Sequence, residues 1–188
     1  MTELTVLDVK DAFLLSRAAY SVATPDSLVS ALALMNASEW KPVPTVGGST
    51  VFNNGNADAF AAVKGNTLAI SFTGTEDGAD VLTDIYNGGL TNFSTFYSKF
   101  DEFIQSVWTY LSHHAGITKI FVTGHSLGGA MVEKFLNQYS GGNVDVVGVT
   151  FGSPGIRNGV IGFPDLDDKP PCSSMLHALS VDWQEVRA

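Results

Sequence analysis

Thr123-Gly124-His125-Ser126-Leu127-Gly128-Gly129-Ala130 stands near the middle of the chain, with the apolar run Ile120-Phe121-Val122 before it and a helix-like run after it. A serine held between two glycines at such a junction has the layout of a nucleophile elbow. The tip of a sharp strand-to-helix turn has unfavourable backbone angles and close neighbours on both sides, and Gly124 and Gly128 leave room by carrying no side chain. Such a turn projects the Ser126 hydroxyl above a sheet. It also puts the Leu127 N–H at a helix N-terminus, where unpaired amides and the helix dipole stabilise a developing oxyanion. The chemistry implied is acyl transfer. A bare G-x-S-x-G arises by chance in roughly 5–10% of chains of this length, so the flanks carry the reading. Residues 119–123 read as a buried strand, and Ala130, Met131, Lys134, Phe135 and Gln138 recur at helical spacing up to Gly141-Gly142.

Outward from the elbow, Val144 to Phe151 reads as a second strand, completing a βαβ unit whose strands are apolar along most of their length, as strands buried on both faces are. Upstream, Ala59–Val63 and Leu68–Phe72 flank Lys64-Gly65-Asn66-Thr67, a hairpin signature. Val6, Val9, Phe13, Leu14 and Ala18 form a helical stripe over residues 6–20, and Asp26 is placed to cap a second helix reaching about Leu34. From Ser94 onward, Phe96, Phe100, Phe103, Ile104, Val107 and Leu111 predict one long helix with a broad apolar face, ending near His113 and His114. Met175 to Val181 is a further strand candidate, after an irregular stretch that holds Pro164, Pro170 and Pro171. No repeat or linker interrupts the pattern. Residues 1–188 therefore read as one α/β domain, a mostly parallel sheet with helices on both faces. Its elbow lies at a strand's carboxyl end, where open parallel sheets place ligands.

Composition narrows the function. The chain has 188 residues, 45% of them hydrophobic, which is enough for one core. Ten basic against nineteen acidic residues give a net charge of −9, which repels nucleic-acid phosphates and anionic headgroups, so no nucleic-acid partner is expected and any lipid contact is apolar. The single cysteine, Cys172, has no partner for an internal disulfide or a zinc cluster, and neither metal nor cofactor is expected. No basic-then-apolar leader opens the chain and no run reaches the eighteen or more apolar residues of a membrane span. A soluble protein is expected, cytoplasmic or secreted by another route, its localisation left open.

Several segments together resemble the class 3, or fungal-type, lipases of the α/β-hydrolase fold, over about residues 10–182. They are Leu68-Ala69-Ile70-Ser71-Phe72-Thr73-Gly74-Thr75-Glu76, Gly124 to Ala130, and Phe151-Gly152-Ser153-Pro154, in that order and spacing. In that family the first segment usually reads F-R-G-T or F-R-G-S, and its last residue supplies an oxyanion-hole N–H and hydroxyl. The resemblance assigns that role to Thr75 beside the Leu127 N–H, and Thr73 stands where the family commonly has arginine. Asp80-Val81-Leu82-Thr83-Asp84-Ile85 resembles the short segment before the family's lid, and residues 85–96 have the composition either of a mobile flap with an apolar underside or of an ordinary surface loop.

Triad members in this fold follow in the order Ser, Asp or Glu, His. Asp182, 56 residues after Ser126, falls where the family's catalytic aspartate sits. No histidine follows it. His113 and His114 end a helix, His125 lies inside the elbow, and His177 lies in the strand before Asp182. The family's last strand, final helix and histidine loop are thus expected to be missing, leaving a domain incomplete at its C-terminus and prone to self-association. The resemblance implies a serine carboxylic-ester hydrolase acting on acylglycerols or simpler esters, with transient contact at a lipid interface. Two rivals remain, a catalytically incompetent lipid- or partner-binding fragment and an acyltransferase on the same fold.

Overall fold

The computed structural model describes residues 6–74, 93–139 and 144–154, together with three short strands near the C-terminus. In chain order its helices are α1 (Val6–Ala18), continued by a 3₁₀ turn at Ala19–Ser21, α2 (Pro25–Leu34), α3 (93–98), α4 (Asp101–Ser112) and α5 (Leu127–Tyr139). Its strands are β1 (Lys41–Pro42), β2 (Phe52–Asn54), β3 (Ala57–Lys64), β4 (Thr67–Phe72), β5 (Lys119–His125), β6 (Asp145–Phe151), β7 (Ile156–Arg157), β8 (Val160–Ile161) and β9 (Ser180–Val181). Seven of them form one sheet in the order β1-β3-β4-β5-β6-β9, with β2 also on β3, while β7 and β8 pair separately. The β3–β4 hairpin is antiparallel, turning through Gly65 at φ 60° with Lys64 opposite Thr67. From β4 through β5 and β6 to β9 the pairing is parallel.

The two-residue period of the strands splits this sheet into unlike faces. Leu68, Ile70, Phe72, Ile120 and Val122 face the layer of α3, α4 and α5, which is aromatic: Phe72 meets Phe100 edge-on at 5.0 Å, and Trp108 stacks on Phe135 at 6.2 Å. Gly148 lets α5 settle on β6, since a Cβ there would come within 2.7 Å of Leu136 and 2.9 Å of Val132. On the other face, Ala62, Ala69, Phe121, Val147 and Phe151 meet Ala12, Leu15, Ala18 and Ala19 of the α1 end and Leu28 and Leu32 of α2. Small residues on α1 bring its backbone within reach of strand side chains.

That closeness produces a row of polar contacts along the whole helix. Lys119 pairs with Asp8 at 3.2 Å and Lys64 with Asp11 at 2.8 Å at the lower end. Above them the buried hydroxyls of Thr123, Ser71 and Thr73 donate to the carbonyls of Ala12, Leu15 and Ala19 at 3.1, 3.1 and 2.8 Å. The last rung joins Tyr20 to His125. Twelve helical steps from Asp8 to Tyr20 rise about 18 Å, and six strand steps from Lys119 to His125 span about 20 Å. Helix and strand therefore run side by side in matched register.

Three local expectations are corrected. The fully buried side of α1 is Ala12, Leu15, Ser16 and Ala18, of which the expected stripe held only Ala18, while Phe13 and Leu14 pack against the same core partly buried, because alanine and serine along the inner line let the strand hydroxyls reach helix carbonyls. The cap of α2 is Thr24, not Asp26: Thr24 and Ser27 make a reciprocal capping box, with Pro25 opening the helix. The predicted long helix is two, α3 and α4, separated at Lys99–Phe100 by tight bonds from Lys99 N to Phe96 O and Phe100 N to Tyr97 O. The Lys99 carbonyl accepts from Asn54 and its amine donates to Asn56, tying the break to the β2–β3 turn. Among the described residues no helix is long and apolar enough to cross a membrane.

The Thr123 rung can be tested alone. Thr123→Val keeps the side-chain shape and removes the donor, while the Ala12 carbonyl lies in the helix interior where an N–H four residues on also binds it. Urea denaturation is expected to show a loss of about 1 kcal/mol, and no change would mean the rung contributes nothing to docking of α1.

Candidate active site

At the end of β5 the chain reverses within one residue. Ser126 has φ 55°, in the left-handed region that non-glycine residues rarely occupy. Two backbone bonds hold it there: its N–H donates to Phe151 O on β6, and its carbonyl accepts from Gly129 N in the first turn of α5, both at 2.9 Å. Gly124 and Gly128 are required sterically. A Cβ on Gly124 would lie 2.5 Å from the carbonyl group of Gly128, and one on Gly128 would strike Phe72 O on β4. The side chain of Ser126 is half-exposed, and Leu127, fully buried, opens α5. N–H groups in the first turn of a helix have no acceptor within it, so the amides at Leu127 and Gly128 form an electropositive edge beside the serine.

Gly74 completes the near side. A Cβ on it would collide with the Tyr20 hydroxyl, come within 2.6 Å of His125 O, and lie 3.3 Å from Ser126 Cβ. The strand leading to Thr75 thus passes directly against the elbow, although Thr75 itself lies outside the described residues. Thr73, where the resemblance would place arginine, is buried and anchored twice, by its N–H to Asp58 O at 2.9 Å and its hydroxyl to Ala19 O. On the far side, Ser153 donates to Glu133 of α5 at 2.8 Å, which ties Phe151-Gly152-Ser153-Pro154 to the helix behind the serine. Tyr20 and Glu133 had no signal in sequence that marked them as neighbours of the elbow, whereas Gly74 belongs to the segment that the resemblance singled out.

His125 Nδ1 is hydrogen-bonded to the Tyr20 hydroxyl at 2.8 Å, and burial holds the imidazole below its ordinary pKa. His113 and His114 bind carbonyls of α4, Thr109 O and Tyr110 O, through Nδ1. They precede β5 while Ser126 follows it, so the length of the strand, about 20 Å, separates them from the serine. Asp182, His177 and the segment 75–92 lie outside the described residues, as do most of the proposed lid positions. Among the described residues no group of three or more His, Cys, Asp or Glu could hold a metal ion. A groove of about 810 Å³ runs between Pro44–Gly47 and α4, bordered by Glu102, Gln105, Thr109 and His113, and takes in no elbow residue.

The arrangement of sheet and helices around this turn is similar to that of solved structures. The triacylglycerol lipase from Penicillium expansum superposes with a TM-score of 0.58 at 17% identity, over 79% of this chain and 60% of that one. The chain shares its fold with the fungal lipases. The lipase from Rhizopus microsporus var. chinensis gives 0.55 at 17% identity, over 82% and 60% of the two chains. The Lip2 lipase from Yarrowia lipolytica gives 0.55 at 19%, over 77% and 57%. The chain thus spans about three fifths of the length of the fungal lipases it matches. No protein-family model matches the sequence, and no curated protein matches it either.

Two predictions follow from the elbow within this α/β-hydrolase frame. Gly128→Ala drives a methyl group into a strand backbone that cannot move aside, and is expected to cost about 1–3 kcal/mol or more by chemical denaturation. Gly116→Ala, with open space around it, is the control and should stay within about 0.5 kcal/mol. The second concerns pH. A histidine whose pKa is lowered on folding binds fewer protons folded than unfolded, so its stabilising effect is complete above the unfolded value of 6.5 and is lost as pH falls below it. Parent protein should lose more stability between about pH 7 and pH 5 than His125→Gln does, measured by urea denaturation at each pH. Parallel pH profiles would show that His125 makes no such contribution.

Proposed function

We propose that this chain carries the nucleophile of a serine carboxylic-ester hydrolase of the lipase type, acting on acylglycerols or simpler esters. The observation that supports it most is Ser126 at φ 55°, held by β6 and α5 with the amides of a helix start beside it. A non-glycine residue kept in that conformation costs of order 1–3 kcal/mol, and such outliers gather at functional sites.

In this reading the Ser126 hydroxyl attacks the ester carbonyl carbon while an imidazole takes its proton. The oxyanion accepts hydrogen bonds from the Leu127 N–H and from Thr75. Collapse expels the alcohol with that proton and leaves an acyl-serine, which water then hydrolyses. Asp182 orients the imidazole. The reading gives the role of base to none of the three described histidines, two of which sit at the other end of β5 and the third of which is bound by Tyr20. That placement also favours one rival, a lipid-binding chain that keeps the fold without turnover.

A fluorophosphonate probe separates the two. An adduct mapped to Ser126 by mass spectrometry, lost in Ser126→Ala with the fold intact, is the expected result. Labelling that survives Ser126→Ala would remove the assignment. Binding of mixed lipid vesicles with neither adduct nor ester turnover would establish the rival, and transfer of the acyl group to an added alcohol in preference to water would indicate an acyltransferase.

A further inference from the structure

Tyr20 lies in the turn after α1, more than a hundred residues before the elbow, and its ring is half-buried. Its hydroxyl nevertheless stands where three parts of the site converge. It is 2.8 Å from Nδ1 of His125, the residue before Ser126, with the two rings 5.9 Å apart and inclined at 60°. It also presses on Gly74, the last described residue before Thr75, so closely that a Cβ there would collide with it. That same Cβ position is 3.3 Å from Ser126 Cβ.

We propose that Tyr20 is a positioning residue for acyl transfer at Ser126: its hydroxyl, bonded to His125 and seated against Gly74, sets the spacing between the elbow and the segment that runs from β4 to Gly74. The inference rests on Ser126 being the nucleophile. An oxyanion hole built from two separate segments works only while both are held to a fraction of an ångström, and a 1 Å displacement can cost about 10²-fold. Ser126 is fastened from the β6 side by Phe151 O and from the α5 side by Gly129 N. Tyr20 supplies the constraint from the β4 side.

The rest of α1 explains how one tyrosine can set a distance. Its neighbour Ala19 accepts from Thr73, the residue after β4, while Tyr20 bonds His125, the last residue of β5, so two consecutive residues clamp the carboxyl ends of adjacent strands. Below them Leu15 and Ala12 make the same alternation with Ser71 and Thr123. The tyrosine stands at the end of a helix registered on both strands, not on a loop free to adjust. The bond to Nδ1 also fixes the orientation of the neighbouring imidazole, and with it the peptide that enters the elbow.

Tyr20→Phe keeps the ring and removes only the hydroxyl. In the 188-residue chain, the rate of Ser126 labelling by a fluorophosphonate is resolved into the maximal inactivation rate and the probe's half-saturation concentration. Thermal unfolding and ¹⁵N NMR of the His125 ring accompany it. The expected result is a maximal rate lower by about tenfold or more, with half-saturation changed less than twofold, a shifted His125 Nδ1 resonance and an unchanged melting temperature. Labelling at the parent rate in a folded Tyr20→Phe protein overturns the proposal. Should that variant fail to fold, His125→Gln, which removes the imidazole partner from the other side, takes its place, and parent-rate labelling there overturns it equally. A parent chain that is not labelled at Ser126 at all defeats the nucleophile assignment, and this inference with it.

Discussion

The register of α1 against β4 and β5 is the constraint on which the elbow depends. A helix packed by apolar contact alone can slide or roll by a fraction of a turn at little cost, because such contacts are not directional. Here hydroxyls from two strands reach carbonyls of one helix at Ala12, Leu15 and Ala19, and ion pairs at Asp8 and Asp11 secure the lower end. Each hydrogen bond contributes only about 1 kcal/mol. Their effect is geometric, since a slide of one residue would leave Ser71, Thr73 and Thr123 buried without acceptors. That cost is about 1–3 kcal/mol for each group, and it falls on all three together.

The two faces of the sheet divide the work. The aromatic face, where Phe72 touches Phe100, Phe103 and Phe135, supplies apolar burial. The alanine-rich face supplies close approach. The elbow needs both, because Gly124 and Gly128 bring α5 down on the first face while His125, one residue on, points to the second. A chain with bulky residues on α1 would bury more area and forfeit the hydrogen bonds that locate Tyr20.

The parts of this arrangement legible in sequence were those encoded locally. Gly124-His125-Ser126-Leu127-Gly128 flanked by a strand and a helix pointed to the turn, and the spacing of glycines matched the contacts that a Cβ would violate. The hairpin, β6 and α5 were likewise visible as periodicity and turn chemistry. What escaped was non-local. Thr123 and Ser71 looked like ordinary strand residues, because their acceptors lie 111 and 56 residues away. The break at Lys99–Phe100 was hidden because the phenylalanine spacing continues across a tight turn without a proline or glycine to mark it. Asp26 looked like a cap because its residue type suits one, but Pro25 starts the helix one position earlier and hands the role to Thr24. The roles of Thr75 and Asp182 rest on the sequence resemblance alone, since both, like His177, lie outside the described residues.

The separation between α1 and β5 also has a consequence for biosynthesis. A ribosome adding about 5–20 residues per second finishes Thr123 on the order of ten seconds after Ala12, its partner 111 positions earlier. Through that interval α1 has emerged without β5, and for the first half of it without β4 as well, while an isolated helix of thirteen residues is marginal in water. Its leucine and alanine side chains therefore spend seconds as an unpaired apolar segment, long enough for a chaperone to capture them. The nascent chain can close the β3–β4 hairpin early, but the turn at Ser126 acquires its outer clamp only after α1 returns from the far end of the sequence.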